Sequence, residues 1–195
     1  AAVATTPQFC VGGNTDITVS GGTLGTGAQY VWYENGCGSG ASIGTGPTIN
    51  VSPTVTTTYY ARIEGNCNNT NCQTVTVTVD QESTDPTGAI ASQNQICPGQ
   101  SSVLTVQGGS LGAGANWEWF SGGCGGTPVG SGNTISVSPT STTTYFVQAI
   151  GTCNTTICES ITIDVGVGGT EPIAADLTID NICPGDTTEV FQIGG

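Results

Sequence analysis

The 195-residue sequence holds few side chains able to act as nucleophiles, acids, bases or metal ligands. Apart from the hydroxyl side chains, they are nine cysteines, fourteen carboxylates and one cation, Arg62. Histidine is absent, so serine or cysteine triads, imidazole acid–base catalysis and histidine metal motifs are excluded. Lysine is absent too, which removes Schiff-base chemistry, P-loop phosphate binding and Lys–Asn isopeptide cross-links. Acid–base work would fall to a carboxylate pair. Glu34, Glu64, Glu118 and Glu159 are the candidates. Thiol chemistry has no His or Lys to lower a cysteine pKa and no C-x-x-C. Calcium is the one cofactor the composition invites, through Asp80, Glu82 and Asp85, with Asp164, Glu171, Asp176 and Asp180 further along. No other cofactor or metal and no enzymatic activity is expected.

Charge narrows the partners. A net charge of −13 is incompatible with neutralising a phosphate backbone or docking on anionic lipid. No apolar run reaches transmembrane length, so neither nucleic acid nor membrane insertion is expected. Nine cysteines in a chain this short point to an oxidising compartment. Residues 1–7 read as neither a start methionine nor a signal peptide, so the sequence is expected to be an excerpt of a mature exported protein.

The elements that must position these residues recur at an offset of about 86 residues. Cys10, Cys37, Cys67 and Cys72 fall on Cys97, Cys124, Cys153 and Cys158, Trp32 on Trp119, Pro53 on Pro139 and Tyr59 on Tyr145. Ile182-Cys183-Pro184-Gly185 begins a third copy. The expected division is a first repeat over 1–85, a second over 86–171 and the start of a third over 172–195. The acidic candidates change character between copies: Glu34 falls on Ser121, Glu64 on Ile150, Asp80 on Gly166 and Glu82 on Gly168. Solvated strand faces explain such variation more simply than a shared site.

Within a copy the period is two. Ile17 and Val19, Tyr30 and Trp32, Ile49 and Val51, then Val75, Val77 and Val79 alternate with polar neighbours, the mark of half-buried strands. Gly, Pro, Asn and Ser clusters separate the runs. The fold class is therefore all-β: tandem immunoglobulin-like antiparallel β-sandwiches of about seven strands each. Trp32 and Trp119 occupy the place of the buried tryptophan on the third core strand. Thr58-Tyr59-Tyr60-Ala61 looks like a tyrosine corner, with Ala61 where an antibody domain carries a core cysteine. The Gly21–Ala28 stretch joins two strands, so its likeness to a dinucleotide loop is superficial.

Four cysteines per copy permit three pairings. Strand order favours Cys10–Cys37 at one end of the sandwich and Cys67–Cys72 across the last hairpin, repeated as Cys97–Cys124 and Cys153–Cys158. A four-cysteine zinc site is the competing reading, which an oxidising compartment and the absence of histidine disfavour.

The string Ile96-Cys97-Pro98-Gly99, then Gly108 to Ala115, Trp119-Phe120-Ser-Gly-Gly-Cys124, Ser136-Val-Ser-Pro139 and Thr142-Thr-Thr-Tyr145 resembles a bacterial immunoglobulin-like repeat. Such repeats populate large cell-surface adhesins of Bacteroidota, including SprB-like gliding-motility adhesins and other cargo of type IX secretion. The resemblance implies export across the outer membrane and an extracellular, cell-surface location. It also implies a non-catalytic stalk or filament segment projecting a distal adhesive region. Expected partners are neighbouring repeats of the chain, other copies in a fibre, and surface glycans met through a distal domain. A glycan-binding or self-assembling fibre module is the alternative.

Overall fold

A computed structural model describes residues 1–166. The chain divides into two compact units, Ala1–Glu82 and a second from Ser83 onward. The expected third repeat, and the second boundary near residue 170, lie outside the described residues.

The first unit contains eight strands, β1 (Ala2–Ala4), β2 (Gln8–Cys10), β3 (Thr15–Val19), β4 (Gln29–Glu34), β5 (Gly44–Thr45), β6 (Thr48–Val51), β7 (Thr57–Glu64) and β8 (Gln73–Asp80). They form a three-stranded sheet, β1-β3-β6, and a five-stranded sheet, β2-β8-β7-β4-β5. The opening strand is split: β1 runs antiparallel to β3, whereas β2 crosses to the other sheet and lies parallel to β8. That split accounts for one strand more than the expected seven.

The second unit repeats the plan with β9 (Gly88–Ala91), β10 (Gln95–Ile96), β11 (Ser102–Gln107), β12 (Asn116–Ser121), β13 (Thr127–Ser131), β14 (Thr134–Val137), β15 (Thr143–Ile150) and β16 (Glu159–Val165). Its sheets are β14-β11-β9 and β10-β16-β15-β12-β13.

Alternation builds each core. In β8 the inward Val75, Val77 and Val79 are buried between outward threonines, and β3 buries Ile17 and Val19 in the same way. Trp32 and Trp119 are fully enclosed, each at the centre of its own cluster. A buried indole N–H must find an acceptor. Trp32 Nε1 donates to the Gly46 carbonyl at 3.0 Å and Trp119 Nε1 to the Gly132 carbonyl at 3.0 Å. Both acceptors sit at positive φ, +102° and +109°, which only glycine adopts without strain. Tyr59 and Tyr145 also point inward, with Ala61 and Val147 next along the same face of each strand.

Candidate functional site

The strap cysteines, Arg62 and Glu64 gather on the outward face of the five-stranded sheet. In the first unit β7 is flanked by β4 and β8. Chain following β4 turns at Asn35 and Gly36, both at positive φ, and returns to pair β5 with β4. This excursion lies on the outer surface of β7: a side chain on Gly38 would collide with the Arg62 guanidinium. Cys37 is thereby carried over the sheet to meet Cys72, the residue before β8, with a Cα–Cα distance of 5.8 Å. The cystine is a strap across the middle strand, tying the chain after β4 to the start of β8.

The second unit has the same strap, Cys124–Cys158, at 5.9 Å. Beneath it lies the side chain of Gln148, whose carboxamide oxygen is 3.3 Å and 3.1 Å from the two sulfurs. Oxidised sulfur has no proton to give, so these are close S···O contacts rather than hydrogen bonds. They enclose an outward-facing polar residue that is nevertheless buried.

These bonds overturn all four expected pairings. Cys10–Cys37 and Cys97–Cys124 do not form, because the loop after the third core strand folds back over the sheet. Cys67–Cys72 and Cys153–Cys158 do not form either, because Cys72 and Cys158 are already taken. Cys67, expected to be bridged, is an exposed free thiol at the β7–β8 hairpin. Cys10, Cys97 and Cys153 are disulfide-bonded.

Arg62 stands under the first strap, on the outward face of β7. Its Nε donates to Glu64 Oε1 at 2.7 Å, and its Nη2 lies 2.6 Å from the same oxygen. The Tyr33 hydroxyl donates to that oxygen as well, while the guanidinium sits 5.5 Å from the centre of the Tyr33 ring. The Tyr33 hydroxyl first, and then Arg62, hold the Glu64 carboxyl below its ordinary range. The same hydrogen bond to Glu64 raises the Tyr33 phenol, with burial adding to the effect. In the second unit the three positions become Phe120, Gln148 and Ile150. The cluster is therefore one way of filling the space under a strap, and the apolar–amide set is another.

A depressed folded-state pKa means that Glu64 contributes stability above its unfolded pKa and loses it as pH falls through the folded value. The first unit should accordingly lose stability between about pH 5 and pH 3, the carboxylate range. Glu64→Gln should flatten that limb while leaving the second unit's acid response unchanged. Melting curves across this range check it; identical acid limbs in wild type and variant would remove the Glu64 contribution.

The candidate acid–base pairs do not assemble. Glu34 is opposite Tyr59 and Glu64 opposite Gln29, five positions apart along β4 and β7, or about 17 Å of strand. Glu118 pairs with Gln148 on the outer face, whereas Glu159 pairs with inward-facing Val147. A two-carboxylate mechanism needs its groups within about 5–9.5 Å.

Two of the calcium candidates are used locally. Both Asp80 oxygens accept from Gln8 Nε2, at 3.1 Å and 2.9 Å, and Asp85 Oδ1 accepts from the Ile157 amide at 3.2 Å. Among the described residues no three acidic, cysteine or histidine side chains gather to hold a metal. Glu171, Asp176 and Asp180 lie outside the described residues.

A shallow hollow of about 290 Å³ is lined by Ser20, Gly21, Gly22, Tyr30 and Ile63 among others. Tyr30 turns its hydroxyl to the Gly21 carbonyl at 2.7 Å. The Gly21–Ala28 stretch connects β3 to β4, with Gly21, Gly22 and Gly27 at positive φ. Among the described residues each aromatic ring is buried or half-buried. No helix of the described residues is long and apolar enough to cross a membrane.

Similarity to known proteins agrees with this architecture. No curated protein matches the chain. Among solved structures, murine CEACAM1b superposes with a TM-score of 0.52 at 17% identity, covering 85% of this chain and 98% of that one. Rst D1-D2 gives 0.50 at 13% identity, covering 83% and 95%. At these identities the likeness concerns the fold alone. The model of the family described as "Ig-like domain CHU_C associated" matches twice, over residues 1–80 and 84–166. The chain thus belongs to the CHU_C-associated Ig-like domain family, with two consecutive copies on a disulfide-strapped sandwich plan.

Proposed function

We propose that this chain is a non-catalytic spacer, a stalk segment of a bacterial cell-surface adhesin that holds a distal adhesive region away from the envelope. The observation that carries the reading is where the chain crosses each sandwich. In the first unit it arrives beside Ser20, with the Ser20 amide donating to the Ala1 carbonyl at 2.9 Å. It leaves at Asp80, at the far end of β8. In the second it arrives at Thr84, bridged to Ser110, and β16 ends at Val165 beside Ile96. Arrival and departure at opposite ends make a unit that adds length with every copy.

Family membership supports a structural extracellular module, the location that suits cystine straps. Export by the type IX route and service in gliding motility belong to the same proposal. A glycan-binding role is less favoured, because sugar stacking needs exposed rings and the described aromatics are buried or half-buried. Calcium is a counterion in this reading, not a structural ligand.

Deleting both copies from the parent protein should shorten the surface filament while leaving its target recognition intact, as electron microscopy and adhesion assays would read. The isolated chain should bind no member of a glycan array and should run as a monomer under reducing and non-reducing conditions. Saturable binding competed by free sugar would replace the spacer with a binding module. Ladders of high-molecular-weight species would replace it with a self-assembling fibre.

A further inference from the structure

Each sandwich carries a cysteine at both ends in addition to its strap. Cys10 is level with Asp80, where β8 finishes. Cys67 lies in the hairpin before β8, between the bridged residues Glu64 and Asn69. Seven steps of strand from Gln73 to Asp80 put these ends about 23 Å apart. A disulfide needs Cα atoms within about 4.4–6.8 Å, so one sandwich cannot close this bridge on itself. The second unit is arranged alike, with Cys97 following Ile96, opposite Val165, and Cys153 in the hairpin before β16.

Two observations say what the hairpin cysteine is for. First, Cys153, the counterpart of Cys67, is disulfide-bonded although Cys124 and Cys158 are used on each other. The position is thus one that this fold oxidises. Second, the hairpin faces the arriving chain. Next to Cys153, Asn154 Oδ1 accepts from the Ser83 amide at 2.8 Å, and its Nδ2 donates to the Ser83 carbonyl at 2.8 Å. Asn68 stands in the same place beside Cys67. In the first unit, too, the hairpin shares its end of the sandwich with the arriving residues: Ala1, beside Ser20, lines the same hollow as Ile63, Thr70 and Asn71.

We propose that Cys67 is the receiving half of a covalent joint, forming a disulfide with the cysteine at the Cys10 position of a copy of the repeat preceding it. That cysteine stands at the departure end of its sandwich and Cys67 at the arrival end, so chain continuity brings the two ends together. The two thiols give up two protons and two electrons to a protein disulfide donor, the class of oxidant that also forms the straps, and the donor is reduced to its dithiol. The inference rests on the reading of the chain as a series of spacer copies. The outcome below separates the two, because an unbridged Cys67 leaves a spacer without covalent joints.

The test places residues 1–87, with Cys67→Ser in that added copy, ahead of Ala1 of the whole chain. In the 195-residue chain Cys67 should react fully with a maleimide. In the extended chain its labelling should fall to background, and non-reducing peptide mapping should join it to Cys10 of the added copy. Cys10→Ser in the added copy should restore full labelling, which shows that the bridge, and not simple burial, protected the thiol. Labelling of Cys67 that is unchanged by the extension, or a bridge from Cys67 to any other cysteine, overturns the proposal.

Discussion

Removing a strap should cost the unit that carries it about 4 kcal/mol. The Cys37–Cys72 bond closes a loop with a separation of 35 residues and Cys124–Cys158 one of 34. The loop-closure entropy withheld from an unfolded chain of that size gives this figure at room temperature. A unit of some 80 residues has a total stability of roughly 4–12 kcal/mol, so the loss is a third of it or more. The melting midpoint should fall by roughly 15–30 °C for the Cys37→Ser/Cys72→Ser pair, at about 4–8 °C per kcal/mol. The second unit, with its own strap intact, should keep its transition and act as the internal standard. A chelator should do little, since no metal cluster forms among the described residues.

Under tension the same bond has a second signature. The strap spans β7 and binds the start of β8 to the chain beyond β4, so the residues between Cys37 and Cys72 cannot pay out. At about 3.3–3.6 Å per residue, an oxidised unit should release about 120 Å less contour than a reduced one in single-molecule pulling. Melting points within a few degrees of each other, or equal contour lengths with and without reductant, would show that the straps carry neither stability nor load.

Truncating the central tryptophan should bring its unit close to unfolding. Trp32 and Trp119 are completely enclosed, and replacing such a ring by alanine costs about 3–5 kcal/mol through lost transfer energy and the cavity left behind. The Gly46 or Gly132 carbonyl also loses its donor, and an unsatisfied buried acceptor adds about 1–3 kcal/mol where water cannot reach it. Each variant should therefore shift one of two unfolding transitions in urea, the other staying in place. Hydrogen exchange assigns the shifted transition to its unit. A Trp32→Ala chain whose first unit unfolds within about 1 kcal/mol of wild type would mean that this ring is no keystone of the core.

Much of the fold was legible in the residues because its cause is local. Valines at 75, 77 and 79 alternate with threonines, and a period of two with one buried face admits few structures other than a sheet. Repetition of Trp32 as Trp119 and Tyr59 as Tyr145 located the core twice, since large rings recurring at one offset need the same interior. The absence of His and Lys excluded whole reaction classes without any coordinates. The split opening strand was less visible: β1 and β2 are each three residues long, too short for a period to register which sheet they join.

Cysteine pairing lay beyond what order along the chain could decide. Cys67 and Cys72 are near neighbours in sequence, yet Cys72 bonds to Cys37, because the loop from Asn35 to Ile43 doubles back over β7 instead of leaving the sheet at its end. That path depends on positive-φ residues at 35, 36, 38 and 40, and on the outward Arg62 over which the loop rests. Glu64 shows the same limit in part: it shares a strand face with Arg62 two residues away, but only the register that sets Tyr33 against Tyr60 on the neighbouring strand brings the Tyr33 hydroxyl to its carboxylate. Composition and periodicity determined which residues form strands, which are buried and which chemistries are impossible, because those follow from neighbours in the chain. Which sulfur meets which, and which end of the sandwich each cysteine occupies, depended on the path of the loops in three dimensions.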